Sequence, residues 1–248
     1  MPGELTLLYH AHHSQFLEDI PFWRALASRQ GPSALELGCG GGRVLLQLAS
    51  AGLRMVGLDR DLEMLELLRR TAKAEGLARP NVFQADMAHF SLSRRFPLIL
   101  MPCNTLSALP DDLRVPVFRR IAAHLSTRGI FAASLPNPFR LQELPPAGEP
   151  ELEDQFSHPR TGNPVQVSSA WSKSGDRVEV RWNYDHLKPD GSVARLTAAV
   201  SHSLASLGRY ESELRQAGLE PIEVSGDYKG RPFEPEAPYL VILTALKT

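Results

Sequence analysis

The chain has 248 residues and nearly balanced charge, with 27 basic against 28 acidic side chains and a formal net charge of −1. This length fits one α/β domain, and a strongly basic face that would favour nucleic acid is not implied. Cys39 and Cys103 are the two cysteines and form no C-x-x-C pair, and no signal peptide or long apolar span is visible. We therefore expect a cytoplasmic protein with no membrane or nucleic-acid partner, and the composition leaves monomer or homodimer open.

Residues 1–30 carry apolar side chains at mostly helical spacing, and Asp19-Ile20-Pro21 is typical of a helix start. His10, His12 and His13 raise the question of a metal site. No Cys or Glu partner follows them at ligand spacing, so we interpret the histidines as solvated or substrate-facing and expect no metal.

The segment 34–44, with the sequence ALELGCGGGRV, predicts a buried strand, a glycine turn and the first residues of a helix. A turn of this kind presents backbone N–H groups and a helix N-terminus to a ligand. Glycine serves there because some turn positions need positive φ and because a Cβ would block the approach of a cofactor.

The glycine spacing separates two cofactors. A dinucleotide fingerprint G-x-G-x-x-G needs its third glycine at position 43 or 45, which are Arg43 and Leu45. The observed pattern is an acid, Glu36, followed by glycines at 38, 40 and 42. An acid before the turn would repel a pyrophosphate but attract the ammonium and sulfonium groups of S-adenosylmethionine (SAM). The pattern favours SAM over a nicotinamide dinucleotide.

Further predicted strands end in polar residues. The strand at 54–58 is followed by Asp59, the strand at 81–87 ends in Asp86-Met87, and the apolar strand at 96–101 precedes Cys103-Asn104. Open parallel sheets bind ligands at the carboxyl ends of their strands, so we expect these residues to meet there. Helices are predicted behind Asp59, ending at Gly76, and at 113–125 with Pro116 in the first turn. A fifth strand is predicted at 129–135.

The texture changes after residue 135. Prolines make 136–164 read as an irregular excursion with one helical turn, and alternation from Val165 to Thr197 then predicts an antiparallel meander. A helix at 210–217 and strands at 220–225 and 239–246 complete the chain. We predict a core made of 1–135 and 206–248, in which 1–30 is a helical cap, and an inserted lid or substrate subdomain at 136–205.

This order of elements resembles the class I SAM-dependent methyltransferases, and in detail the small bacterial members with an inserted antiparallel sheet. The resemblance covers most of the chain. It implies an α/β fold with a seven-stranded Rossmann-like sheet, the last strand antiparallel beside strand five. It also implies in-line methyl transfer from SAM to nitrogen or oxygen of a small-molecule acceptor. Among the departures, His10 stands where an Asp is frequent.

The resemblance also implies roles for the motif residues. The glycine turn would hold the methionine end of SAM, Asp59 the ribose hydroxyls and Asp86 the adenine amine, with Arg60 covering the adenine and the Met87 N–H meeting a ring nitrogen. Cys103 would pass close to the methyl donor. The complete predicted cofactor set is Tyr9, Glu36, Gly38, Cys39, Gly40, Arg43, Asp59, Arg60, Met64, Asp86, Met87 and Cys103.

Bulky side chains of the insert and its flanks are the predicted acceptor pocket: Trp171, Arg181, Tyr184, Tyr210 and Tyr228. Alternation places Trp182 and Tyr184 on one face, although these aromatics could equally serve only to pack the small sheet onto the core. No residue is an unambiguous catalytic base; an amine acceptor needs none, whereas a hydroxyl acceptor would need one. The rival functions are a SAM-binding sensor or scaffold without catalysis and, less favoured, an NAD-dependent oxidoreductase.

Overall fold

Helices and strands alternate through the first half of the computed structural model, which describes residues 2–247. The helices are α1 Glu4–His13, α2 Ile20–Gln30, α3 Arg43–Ser50, α4 Leu62–Ala74, α5 Thr105–Ala108, α6 Asp111–His124, α7 Pro138–Glu143 and α8 Leu207–Gln216. The strands are β1 Ser33–Leu37, β2 Arg54–Asp59, β3 Asn81–Gln84, β4 Phe96–Met101, β5 Leu125–Pro136, β6 Ala147–Ser157, β7 Pro164–Ser174, β8 Arg177–Leu187, β9 Val193–Ser203, β10 Leu219–Ser225 and β11 Tyr239–Leu246. The sequence predicts Pro116 in the first turn of a helix that begins at 113. That placement is wrong, because α6 already begins at Asp111 and Pro116 lies inside the helix.

Seven strands form one sheet in the order β10-β11-β5-β4-β1-β2-β3. Strands β1 to β5 pair in parallel, and β11 runs antiparallel to both β5 and β10. The predicted α/β fold, with an antiparallel last strand beside the fifth, is confirmed. The carboxyl ends of β1, β2 and β4 therefore share one edge of the sheet.

Helices cover both faces of this sheet. Alternate side chains of β1 point to opposite faces, so Leu35 and Leu37 pack in the core that includes α6 and α8, whereas Ala34 packs in the core that includes α2, α3 and α4. Glu36 has the parity of Ala34. Its carboxyl group consequently points toward the α2 and α3 side, near Asp19 and Arg43.

A separate antiparallel sheet contains β6, β7, β8 and β9 in that order, and we call it the lid sheet. Its strands lie inside the insert predicted at 136–205, and the exact domain division stays a prediction. The irregular excursion expected at 136–164 is wrong in part, because β6 occupies 147–157. The sequence of β6 lacks a regular strand pattern because the strand lies at the sheet edge and bulges between Gly148 and Glu151, an arrangement that tolerates Pro150.

The first helix packs against the lid sheet. Leu8, Val165, Val167 and Tyr184 form a small core between α1 and strands β7 and β8, and all four side chains are fully buried. The N-terminal cap is thus built into the insert. No helix within residues 2–247 is long and apolar enough to cross a membrane.

Candidate active site

The glycine turn is fastened to the end of β2. The N–H groups of Gly38 and Cys39 both donate to the carbonyl of Leu58, at 2.9 and 3.0 Å. The Gly40 N–H donates to Oδ2 of Asp59 at 2.7 Å, and Oδ1 of Asp59 accepts from the Asp61 N–H at 2.9 Å. Asp59, the residue predicted to bind the ribose hydroxyls, therefore also shapes the glycine turn. Its side chain is only partly buried.

Of the four turn glycines, Gly42 is covered by the Leu68 side chain, and the other three differ in how open they are. A Cβ at Gly38 would lie 2.8 Å from the Thr105 methyl group, and a Cβ at Gly41 would collide with the imidazole of His10. At Gly40, where φ is +49°, a Cβ would meet nothing within 4 Å. Of these three positions, Gly40 is where a ligand can approach the backbone closely.

Glu36 places a buried carboxyl group beside the turn. Its side chain is almost fully buried, and Oε2 has no hydrogen-bond partner among the described residues. Burial raises the pKa of this carboxyl to about 8, and the nearby carboxylates of Asp19 and Asp59 add to the rise, against the lowering effect of Arg43. A buried acceptor without a partner is costly unless a cationic ligand completes it.

The residues predicted at the adenine end lie at the ends of β2 and β3. The exposed Asp86 accepts from the Ala88 N–H at 2.8 Å, and its neighbours include Arg60, which contributes to lowering the Asp86 pKa after the Ala88 and His89 hydrogen bonds. The Met87 side chain lies beside Gly38, because a Cβ added to that glycine would be 3.6 Å from the Met87 methyl carbon. These residues are brought to the turn, and their contacts with SAM stay predictions.

Arg43 is held by the protein itself. Its Nη1 and Nη2 donate to the two carboxylate oxygens of Asp19 at 2.5 and 2.6 Å. Nη1 also donates to the Phe16 carbonyl at 2.5 Å, and Nη2 lies 2.7 Å from Sγ of Cys103. Four of its five N–H donors therefore face partners, which argues that Arg43 orders the site and does not grip the cofactor. The sequence identified Asp19 only as part of a helix start.

Cys103 lies at the carboxyl end of β4 in a strained backbone. Both Cys103 and Asn104 have positive φ, 59° and 63°, a conformation that non-glycine residues adopt mostly at constrained functional sites. The thiol is exposed on one side and otherwise surrounded by protein, which raises its pKa to about 11. Tyr9 and Tyr228 both lie within electrostatic reach of it. Cys103, Arg43, Tyr9 and Tyr228 therefore lie close to one another, and we call these four side chains the floor of the candidate site.

Two other members of the predicted cofactor set contribute differently from the rest. The Cys39 side chain is buried in the core, where it fills the space over Gly57, so this residue offers only its backbone to the turn. Met64 is half-buried in the first turn of α4, whose N-cap is Asp61.

The predicted acceptor residues do not gather in one place. Tyr184 is buried under α1, with its hydroxyl 3.2 Å from Nδ1 of His12, and Arg181 pairs with Glu179 on the opposite, exposed face of the lid sheet. Trp171 packs over Gly148 and donates to the Pro145 carbonyl at 3.3 Å. Tyr210, on α8, is fully buried in the core on one face of the seven-stranded sheet. Only Tyr228 lies beside the candidate site, because the other four positions follow packing requirements that strand alternation cannot reveal.

Glu4, His158 and His186 have the composition of a metal site, but the hydrogen bonds of His158 place its proton on the nitrogen that would have to bind the metal. Glu4 Oε1 lies 2.7 Å from Nε2 of His158 and 3.5 Å from Nδ1 of His186. Nδ1 of His158, however, accepts from the backbone N–H groups of Arg160 and Thr161, both at 3.1 Å. Its proton must then sit on Nε2 and point at Glu4, whereas a metal-bound histidine donates from its other nitrogen. The cluster joins α1 to the lid sheet.

Comparisons with known proteins agree with this geometry. Residues 34–129 match a family described as a methyltransferase domain. The chain is 26% identical to a cypemycin N-terminal methyltransferase from Streptomyces sp over 82% of this chain and 78% of the relative. It is 25% identical to a dTDP-3-amino-3,6-dideoxy-alpha-D-glucopyranose N,N-dimethyltransferase from Streptomyces fradiae over 92% and 89%.

A solved S-adenosylmethionine-dependent methyltransferase from Clostridium acetobutylicum ATCC 824 superposes with a TM-score of 0.82 and 16% identity, covering 97% of each chain. This likeness shows the shared fold.

The residues present fit SAM. The unpartnered Glu36 oxygen suits an ammonium group, the open face of Gly40 suits close approach, and Asp59 keeps free lone pairs for hydroxyl donors. Residues 34–129 thus carry a methyltransferase domain, set in the seven-stranded fold that this chain shares with a solved SAM-dependent methyltransferase.

Proposed function

We propose that this enzyme methylates a nitrogen atom of a small-molecule acceptor, with SAM held over Gly40 and the Glu36 carboxylate against its ammonium group. The observation that carries the proposal is the buried, unpartnered Oε2 of Glu36, because a cationic ligand is what such a group lacks.

Two observations support a small amine as the acceptor. Tyr9 of α1 lies near Cys103 and packs against Trp182 of the lid sheet, so these two elements would cover that side of the site, which suits a small molecule better than a polymer. The net charge of −1 gives no overall attraction for nucleic acid. Of the two curated relatives described above, one is named an N-terminal methyltransferase and the other an N,N-dimethyltransferase of an amino sugar, and both names suit an amine acceptor.

The chain's own residues would act mainly by positioning. SAM supplies an electrophilic methyl group when bound. The turn backbone and Asp59, which hydrogen-bond to each other, would hold one end of the cofactor, and Arg43, itself paired with Asp19, contacts the Cys103 side chain. Correct alignment of two reactants can lower a barrier by roughly 7–11 kcal/mol, so a neutral amine needs no strong base.

Calorimetric titration with SAM, S-adenosylhomocysteine and NAD tests the cofactor. We expect the first two to bind and NAD not to bind, and Asp59→Ala to weaken SAM binding about 10- to 100-fold through the loss of hydrogen bonds to a charged group. An exposed acid, Asp112, provides the control variant Asp112→Ala, which should bind normally.

Turnover on matched amines and alcohols then tests the acceptor, with dTDP-3-amino-3,6-dideoxy-α-D-glucose as one amine probe. Methylated alcohols without methylated amines would overturn the nitrogen assignment, and SAM binding without any turnover would indicate a sensor.

A further inference from the structure

Helix α1 has two faces with different partners. Leu8 and His12, four residues apart, belong to the face buried under the lid sheet. Tyr9 and His13, also four apart, lie on the neighbouring stripe together with His10, whose imidazole covers Gly41. The second stripe therefore runs between the glycine turn, which His10 covers, and the lid sheet, where Tyr9 meets Trp182.

His13 stands in an aromatic corner of this stripe. Its ring lies 4.2 Å from the Tyr9 ring and 5.0 Å from the Trp182 ring of β8, centroid to centroid, and both contacts are edge-to-face. The Trp182 N–H donates to Glu153 at 3.1 Å, which fixes the indole in place. These two edge-to-face contacts favour one orientation of the His13 imidazole.

The imidazole carries an unused polar atom. Nε2 of His13 is cut off from solvent and has no hydrogen-bond partner among residues 2–247. A buried N–H without a partner is rarer than an underused acceptor, so the favoured tautomer carries its proton on Nδ1 and leaves a lone pair on Nε2. Burial lowers the pKa of His13 to about 4, helped by His12, Arg43 and His10 and opposed by Glu153, so the ring is neutral near pH 7.

The same corner is connected to the floor of the site. The Phe16 N–H donates to the His13 carbonyl at 3.4 Å, and the Phe16 carbonyl accepts from Arg43, which in turn touches Cys103. Tyr9, which packs on His13, lies within electrostatic reach of the Cys103 thiol. The imidazole of His13 and the thiol of Cys103 thus share two neighbours, Tyr9 and Arg43.

We infer that His13 is an acceptor-binding residue, whose Nε2 receives a hydrogen bond from the N–H of a neutral primary or secondary amine and thereby aims the nitrogen lone pair at the methyl group. This inference rests on the proposed function and gives its substrate class. As the N–C bond forms, the S–C bond breaks, the sulfur keeps the electron pair, and the nitrogen becomes a substituted ammonium that later releases a proton to solvent. A tertiary amine has no N–H to offer, so methylation should stop at the tertiary amine, which is the dimethyl product of a primary amine.

The first test needs no acceptor. Long-range proton–nitrogen correlation spectra of the imidazoles, recorded on the protein with bound S-adenosylhomocysteine, report which His13 nitrogen carries the proton; His13→Gln assigns the signals. We expect a neutral ring with the proton on Nδ1 at pH 7. A proton on Nε2, or a charged ring, overturns the inference even if the enzyme proves to be an amine methyltransferase.

The second test separates His13 from the chemistry as a whole. With dTDP-3-amino-3,6-dideoxy-α-D-glucose or whichever panel amine the wild type methylates best, His13→Leu should lower kcat/KM at least 10-fold, and His13→Gln, which keeps an acceptor atom, should recover part of it. SAM affinity should stay within twofold in both, and Lys73→Leu, on the exposed surface of α4, should behave as wild type. Full activity of folded His13→Leu contradicts the inference alone, whereas an absence of amine turnover in the wild type contradicts the proposed function and leaves the spectroscopic result to decide the tautomer.

Discussion

Asp19 and Arg43 form a buried two-point ion pair that fastens α2 to the start of α3, directly behind the glycine turn. The Asp19 side chain is fully buried, and Trp23 donates a further hydrogen bond to Oδ2 at 2.8 Å. Removing one member of such a pair leaves an uncompensated buried charge. The pair therefore matters more for the order of the site than its distance from the expected reacting atoms suggests.

Arg43→Met should lower the free energy of unfolding by about 3–5 kcal/mol, the range for breaking a buried pair. The exposed two-point pair between Arg195 and Asp185 is the matched control, and Arg195→Met should cost about 1 kcal/mol or less. Urea unfolding of both variants checks this. Equal losses would show that burial of the Asp19 pair is unimportant, and the double variant Asp19→Leu with Arg43→Met should lose less than the two single changes added together.

Gly40→Ala should abolish tight SAM binding while costing no more stability than an ordinary left-handed alanine, about 1–2 kcal/mol. Gly76→Ala is the control, because Gly76 has a comparable φ of +68° and equally open surroundings but lies at the end of α4. Thermal melts should shift alike for the two variants, and SAM titrations should differ. Loss of affinity in both would mean that strain, and not a ligand, explains the glycine.

Glu36 should make the free protein less stable as the pH rises. Burial raises its folded pKa to about 8, above the value of an unfolded carboxyl, so the native state binds the extra proton and stability falls from about pH 4.5 to pH 8. A cofactor ammonium would favour the ionised carboxylate, so SAM affinity should instead increase with pH up to about 8. Melting curves and SAM titrations across this range, compared with Glu36→Gln, check both slopes; a pH slope unchanged in Glu36→Gln would refute the assignment.

Cys103 should be the single cysteine that reacts with iodoacetamide in the folded protein, because Cys39 is buried and serves as an internal control. Its raised pKa of about 11 means that the rate should climb steeply with pH through the alkaline range, since the thiolate is the reactive form. Saturating SAM should slow the labelling. Mass spectrometry of digested samples gives the site, and labelling unaffected by SAM would place Cys103 outside the cofactor region.

Tyr184→Phe should lower the unfolding free energy by about 1 kcal/mol, the usual value of one internal hydrogen bond, here the contact with His12. SAM affinity and the KM for an acceptor should not change, because the hydroxyl is buried beneath α1. Arg181→Ala, on the opposite face, is a control that should be nearly silent. A raised KM in Tyr184→Phe would restore the pocket role that the sequence suggested.

The sequence predicts the sheet and the turn well because both depend on local patterns. Apolar runs that end in Glu36, Asp59 and Asp86 mark strand ends, and parallel pairing then brings those ends to one edge. The acceptor side was harder to predict, since alternation along β8 groups Trp182 with Tyr184 but cannot show that α1 covers one of them. The role of Asp19 depends on a partner 24 residues away, and no local signal carries that pairing.

The contacts of α1 also determine when the protein can be completed. His12 meets Tyr184 across 172 positions of sequence, and Glu4 meets His158 across 154. Helix α1 must therefore wait until β8 has been synthesised before its apolar face can be buried, and long-range contacts of this kind form slowly. Until then α1 is not packed in place to hold His10 over Gly41, so the glycine turn should reach its final shape only after β8 has formed.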